Sequence, residues 1–322
     1  MNLMTTPGAL FTRHTTQDAT QDAHRSAARF AVCVTTMNRT GTLAACLDSL
    51  SRCVPRAACI VVSDDSPDPL TREANAAVVA RHPGVVYLQG PRRGVCANRN
   101  HAVKACLAQT APCDYVSFVD DDIQVEPDFF ASADVYYASL VPTRRRWTIL
   151  TGGTSTGGGA YECRPVRLSF AGYFMEGDRP QCVNIHAAVF PLALFERDGW
   201  DENIFFGTED AELSLRALRR GYVIDLAPHV RTRDTMPGAG VLNGTDAGAR
   251  YGLTRYQVNC EAARLYIGVK RYRVIEPDAL RCVAFLAMYV GHLLVYLARR
   301  RALSKFVPIV RISNVWRASA AR

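Results

Sequence analysis

The sequence predicts an α/β fold: a mostly parallel sheet with helices on both faces, followed by a C-terminal helical extension. Three observations predict it. Short, almost wholly apolar runs alternate with stretches whose apolar residues recur at helical spacing. The runs lack a polar alternation, as do strands buried on both faces. Polar clusters follow the runs, at the carboxyl ends of the strands, where open sheets of this kind bind ligands. The 322 residues allow one or two domains, and a composition of 48% apolar and 21% charged residues supports a sizeable core.

The elements follow in chain order. Residues 1–28 are rich in Thr, Gln, Asp and His, with no apolar run, and read as a flexible leader. Residues 31–36 are a first strand, and Leu43, Cys46, Leu47 and Leu50 recur as a helix does. Residues 59–63 are a second strand that stops at the turn cluster Asp64-Asp65-Ser66-Pro67. A helix near residues 72–81 leads to a strand at 85–88, a helix at 95–107, and a strand at 115–119 that ends at Asp120-Asp121-Asp122. Residues 147–150 read as a strand. The glycines after it (152, 153 and 157–159) lack the Lys-Ser/Thr of a phosphate loop and predict a mobile loop. Residues 210–220 form a helix closed by Gly221, and 222–226 another strand. Residues 29–235 thus make one α/β unit, and 236–322 a helical, basic region.

Charge is unevenly placed. The chain carries +8 from 38 Lys and Arg against 30 Asp and Glu, yet residues 264–322 hold 12 basic and 2 acidic of these. Such a tail suits an anionic partner, a membrane surface or nucleic acid. Residues 282–298 contain one ionisable group, His292, and run into Arg299-Arg300-Arg301. A crossing needs about 20 apolar residues, so this run is slightly short. Three readings compete: a helix in the membrane interface, which is the expectation, a core or oligomer helix, and a span. The eleven cysteines include no C-x-x-C pair, which argues against a zinc cluster. Several sit in apolar runs as small hydrophobes. Their odd number, without a signal-like apolar segment, predicts a reduced, cytoplasmic setting.

Four clusters carry chemistry. Three adjacent carboxylates, Asp120-Asp121-Asp122, repel one another, and a divalent cation relieves the conflict. Mg²⁺ and Mn²⁺ prefer such oxygen ligands. The competing reading is a helix start, with Pro127 in its first turn. Asp64 and Asp65 can accept a hydrogen bond from a base or ribose, or close an Asx turn on Pro67. Gly94 opens a helix whose N-terminus suits a phosphate, with Arg99 as a fixed cation; the alternative is a surface arginine. Glu209 and Asp210 either complement a helix dipole or supply a general base.

In order, Thr35-Thr36-Met37-Asn38-Arg39, Ser63 to Ser66, Gly94 to Asn100, Phe118 to Asp122 and Phe206 to Arg216 resemble the family-2 glycosyltransferases over about residues 29–235. The resemblance implies the GT-A fold, a nucleotide-diphosphate sugar donor and inversion at the anomeric carbon. It implies that Thr35, Asn38, Arg39, Asp64, Asp65, Arg99, Asp120 and Asp121 bind the nucleotide. Asp122, with Asp120, would hold Mn²⁺ or Mg²⁺. Asp210 matches the catalytic base, and Glu209 beside it would orient the acceptor. Some relatives add a histidine metal ligand after the last strand; His229 is nearest, and a surface or packing role is expected for it. Uridine or deoxythymidine diphosphate is the favoured leaving group. A saccharide or lipid-linked acceptor, at the cytoplasmic face of the inner membrane, in cell-surface polysaccharide or glycolipid synthesis, is expected.

Two other classes are weighed. A sugar-phosphate nucleotidyltransferase would want a Gly-rich, basic loop after the first strand, and residues 35–41 supply one glycine. A non-catalytic membrane-surface or nucleic-acid-binding protein fits the tail. The clustered carboxylates argue against nucleic acid in the body, so no nucleic-acid partner is expected.

Overall fold

The computed structural model describes residues 27–235 and 251–318. The leader read over 1–28 falls almost wholly outside them. The first half runs β1 (Phe30–Thr36), α1 (Thr40–Ser51), β2 (Cys59–Asp64), α2 (Pro69–Val79), β3 (Val85–Gln89), α3 (Val95–Leu107) and β4 (Tyr115–Asp120). Then come β5 (Ile123–Val125), α4 (Phe129–Ser139), α5 (Pro142–Arg145), β6 (Thr148–Thr156), β7 (Tyr161–Glu162), β8 (Val166–Leu168), β9 (Phe174–Glu176), β10 (Ala188–Pro191), α6 (Ala193–Arg197), α7 (Glu209–Arg219) and β11 (Val223–Asp234). Helices α8 (Arg255–Lys270), α9 (Ala279–Arg299) and α10 (Phe306–Ile312) complete it.

Among the described residues, nine strands form one sheet in the order β3-β2-β1-β4-β10-β6-β11-β5, with β7 on β6. The strands legible as apolar runs (β1 to β4) are parallel. The short β10 runs antiparallel to both β4 and β6 and joins the two halves. Every residue of β1 is buried. Its alternate side chains enter opposite cores, as the period of two requires: Ala31 and Cys33 on one face, Phe30, Val32 and Val34 on the other. Nine of the eleven free cysteines are buried, Cys33 and Cys106 with sulfurs 3.6 Å apart.

The glycine stretch is a correction. Gly152 and Gly153 lie inside β6, not in a mobile loop. A Cβ on Gly152 would fall 1.9 Å from the Val230 carbonyl oxygen of the neighbouring β11. Gly152 thus serves close backbone approach within the sheet. Gly152→Ala is therefore expected to lower stability by about 1–3 kcal/mol, the usual range for overpacking. An unchanged midpoint of urea unfolding would refute this placement of β11.

The C-terminal helices share the core. Thr254 and Gln257 form a capping box that starts α8. At its other end Lys270 reaches Asp201 at 2.5 Å and Glu212 at 2.7 Å, a buried ion cluster that ties α8 to α7. Helix α9 buries Cys282, Phe285, Tyr289, Leu293 and Leu297, spaced three and four apart. Tyr289 Oη donates to the Glu261 carbonyl of α8 at 2.9 Å.

Candidate active site

The register sets the site. Thr36 pairs with Asp64 and Thr35 with Asp120, so β1, β2 and β4 end level. Their polar clusters meet beyond one sheet edge, at a point where strand order turns from β1 back through β2 and forward to β4.

Asp120 is held by two donors. Thr35 Oγ1 lies 2.9 Å and the Arg99 guanidinium 3.0 Å from its Oδ1. Burial would raise its pKa, but Arg99, the nearby His186 and these hydrogen bonds outweigh it and hold the group below the ordinary range. Asp121 points inward and is 3% exposed. It accepts from Thr36 Oγ1 at 2.6 Å and from Arg39 at 3.0 Å. Burial, against the partial help of Thr36 and Arg39, pushes it up to about 7. The expectation that Asp121 touches the nucleotide does not match this inward position. Asp122 is paired with Arg39, and its carbonyl accepts the Thr235 amide and hydroxyl that close β11 onto it.

Arg99 departs most from expectation. It is 1% exposed and does not present itself to a phosphate. One arm reaches Asp120 and the other reaches Glu209 Oε1 at 2.7 Å, while its plane lies over Trp200 with 4.9 Å to the ring centre. It bridges the carboxylates after β4 and those at the start of α7. The α3 N-terminus is likewise occupied: the Val95 amide donates to Phe205 O at 3.1 Å. Gly94, at φ +99°, allows that contact, since a Cβ there would fall 2.7 Å from the same oxygen.

Glu209 is also engaged within the protein. Its Oε2 accepts the Gly207 amide at 2.8 Å and its Oε1 takes Arg99. It shapes the loop before α7, with one protein donor on each carboxylate oxygen. Asp210, next along, is partly exposed. Burial and then the Glu209 carboxylate push it up to about 7.

The β2 pair divides in two. Asp64 is 1% exposed and accepts the Ser66 amide, Asn75 Nδ2 and Tyr87 Oη at 2.8–2.9 Å. It closes an Asx turn on the Ser66 amide. Asp65 accepts the Arg92 amide at 2.8 Å, and burial raises its pKa. Asn38 stands exposed at φ +60° and donates its amide to Ser66 Oγ at 2.8 Å, linking the loops after β1 and β2.

His186 was not singled out from the sequence. It sits in the turn before β10, with Nε2 4.0 Å from Asp120 Oδ2, and is half-buried. Asn184 fixes that turn through Thr151 and Thr154 of β6. A polar Asn-x-His just ahead of an apolar run was the available signal. His229 is exposed on β11.

A divalent cation can be tested against these residues. Asp120, Asp121, Asp122, Glu209 and Asp210 face two guanidinium groups, those of Arg39 and Arg99, so negative charge is left over. Among the described residues no three His, Cys, Asp or Glu side chains form a ready cage. The donors fit a cation held by one or two carboxylates, with phosphate oxygens completing its shell. In such an arrangement Asp122 and Asp120 would be those carboxylates, with His186 Nε2 4.0 Å from Asp120 Oδ2.

The sheet order, with the polar loops gathered at the ends of β1, β2 and β4, is that of a GT-A type fold. Residues 31–199 match the glycosyl transferase family 2 model, more than half of the chain, and the chain belongs to that family. Among solved structures it is similar to GalNAc-T7, crystallised with UDP, GalNAc and Mn²⁺, at 14% identity and a TM-score of 0.54, covering 82% of this chain and 55% of that one. It is also similar to S. aureus TarS at 16% identity and TM-score 0.51, over 81% of this chain and 43% of that one. TarS residues 1–349 with UDP-GlcNAc give 14% identity and TM-score 0.53, over 90% and 81%. The chain thus spans about half the length of the first two. No curated protein sequence gives a significant match.

Proposed function

We propose that the chain moves a sugar from a nucleotide-diphosphate donor to an acceptor hydroxyl in one step, with inversion. The observation that carries this is the chain Asp120–Arg99–Glu209, which fixes the carboxylates after β4 against the loop that presents Asp210. The solved neighbours that hold UDP or UDP-GlcNAc support a uridine donor, and deoxythymidine exposes the same imide edge. Asp65 and Asn38 border the crevice where the base would lie.

Asp210 takes the proton of the acceptor hydroxyl. A carboxyl group shifted towards neutrality is well matched to that transfer. Asp122 and Asp120 would hold Mn²⁺ or Mg²⁺, which would supply positive charge against that developing on the leaving diphosphate. Arg39 lets go of Asp122 as the donor arrives, and Arg99 keeps Asp120 ionised throughout. A single displacement needs no covalent sugar on the protein. The acceptor is a saccharide or lipid-linked glycan of cell-surface polysaccharide or glycolipid synthesis. The apolar outer side of α9 supports a lipid-linked substrate.

Thermal unfolding of the protein with UDP, dTDP or GDP, each with and without Mn²⁺, tests the donor and metal reading. A ligand at a hundredfold over its Kd adds about 2.7 kcal/mol. A Mn²⁺-dependent rise with UDP or dTDP, lost in Asp122→Ala, is expected. Folded protein indifferent to all three nucleotides would end this reading.

A further inference from the structure

We propose that the outer side of α9 docks on the headgroup region of an anionic lipid bilayer, with the helix lying along the surface. Helix α9 is 21 residues, about 31 Å at 1.5 Å per residue. Its inner side is buried in the protein. Its outer side exposes Leu280, Val283, Leu286, Val290 and Leu294, three and four residues apart. Val283 is 66% and Leu294 44% exposed. No Lys, Arg, Asp or Glu interrupts the helix between Arg281 and Arg299. An apolar strip of this length on a protein surface marks a place that something covers.

Charge identifies what covers it. Residues 279–318 contain seven Lys and Arg and no Asp or Glu. Arg281 stands exposed at one end of the strip, and Arg299 and Lys305 at the other. A second copy placed on this face would meet the same sign of charge, whereas acidic headgroups neutralise it. The surroundings agree. The β8–β9 hairpin exposes Tyr173, Phe174 and Met175, and its Phe170 lies tilted 5.6 Å from Tyr272 and edge-on 6.3 Å from Phe285 on the inner side of α9. Trp316, past α10, is 58% exposed, and Trp favours the boundary between lipid and water.

A span is a poor fit. Five α9 side chains are buried, and Tyr289 is bonded to α8, which carries Glu261, Arg264 and Lys270. A crossing would set lipid where α8 now packs. An apolar outer face with cations at its ends fits the interface instead.

The test is co-sedimentation of the full chain with phosphatidylcholine vesicles, with and without phosphatidylglycerol, at low and high salt. The chain is expected to bind the anionic vesicles and to release in salt. Val283→Asp with Leu294→Asp is expected to weaken binding by roughly tenfold or more, from the lost apolar contact. Arg299→Glu with Lys305→Glu is expected to weaken binding to anionic vesicles by about fivefold per charge and to abolish the preference for them. In each variant, cooperative unfolding and the nucleotide-dependent thermal shift report the fold and the donor site separately, so this proposal and the transferase reading can fail independently. Folded full chain that stays in the supernatant with anionic vesicles overturns the proposal. So does equal binding by the Val283→Asp, Leu294→Asp variant. A solution dimer dissolved by that same variant would give the face to a second copy.

Discussion

Asp210→Asn is expected to lower turnover by about a hundredfold to ten-thousandfold, the range for loss of a general base, with donor binding unchanged. Asn keeps the size of the side chain and its acceptor oxygen for the Ala211 amide, 2.8 Å away in the wild type. It cannot take a proton. The wild-type Asp210 carboxyl, raised to about 7 by burial and by Glu209, also sets the pH profile. The base works ionised, so kcat/KM should fall about tenfold per unit as pH drops below about 7. In the variant that limb disappears from the residual rate. Stability moves the other way. A carboxyl with a raised pKa keeps its proton in the folded state over a range where the unfolded chain has lost it. Its contribution to stability is therefore full below the ordinary Asp range and is lost as pH rises to about 7. Asp210→Asn should unfold no earlier than wild type at pH 8. Steady-state kinetics and the UDP-dependent thermal shift decide the matter: full turnover in the variant removes Asp210 from the reaction.

Arg99→Leu is expected to cost about 3–5 kcal/mol, the usual penalty for stranding buried partners of an ion pair. Arg99 is 1% exposed, and its loss leaves Glu209 buried and Asp120 partly buried without their common cation. Because such a protein can fail to fold, Arg99→Lys is the sharper experiment. Lysine restores one charge but not the planar fork, so it reaches one carboxylate at a time. Stability should recover in part, while turnover stays low because Asp120 and the Asp210 loop are no longer held together. Urea unfolding measures the first effect and single-turnover kinetics the second. Wild-type turnover in Arg99→Lys would reduce the bridge to packing.

Much of this was legible along the chain. β1 to β4 announce themselves as apolar runs, because strands covered on both faces have no polar side to show. The chemistry follows each run because the loops after parallel strands share one edge. The carboxylates at 120–122 and 209–210, and Asp65, were therefore identifiable in order. β10, four residues long, was not. Its membership in the sheet comes from pairing with β4 and β6, which no local pattern encodes. His186 was missed with it, because its nearness to Asp120 depends on that pairing.

The sequence by itself determined the alternation that makes an α/β sheet, the family, and which residue types line the strand ends. Hydrophobic period and turn chemistry are local, and they survive in one dimension. Only the tertiary structure decided what those residues do to one another. Arg99 and Glu209 are 110 positions apart, yet their 2.7 Å contact joins an expected phosphate ligand and an expected acceptor guide in a buried bridge. Asp64, Asp65, Asp120 and Asp121 look alike in the sequence. Burial and donors make Asp64 a turn, raise Asp65 and Asp121, and lower Asp120. The reason is physical: a carboxylate's protonation and partners depend on the charges and dielectric within a few ångströms, and those are set by folding.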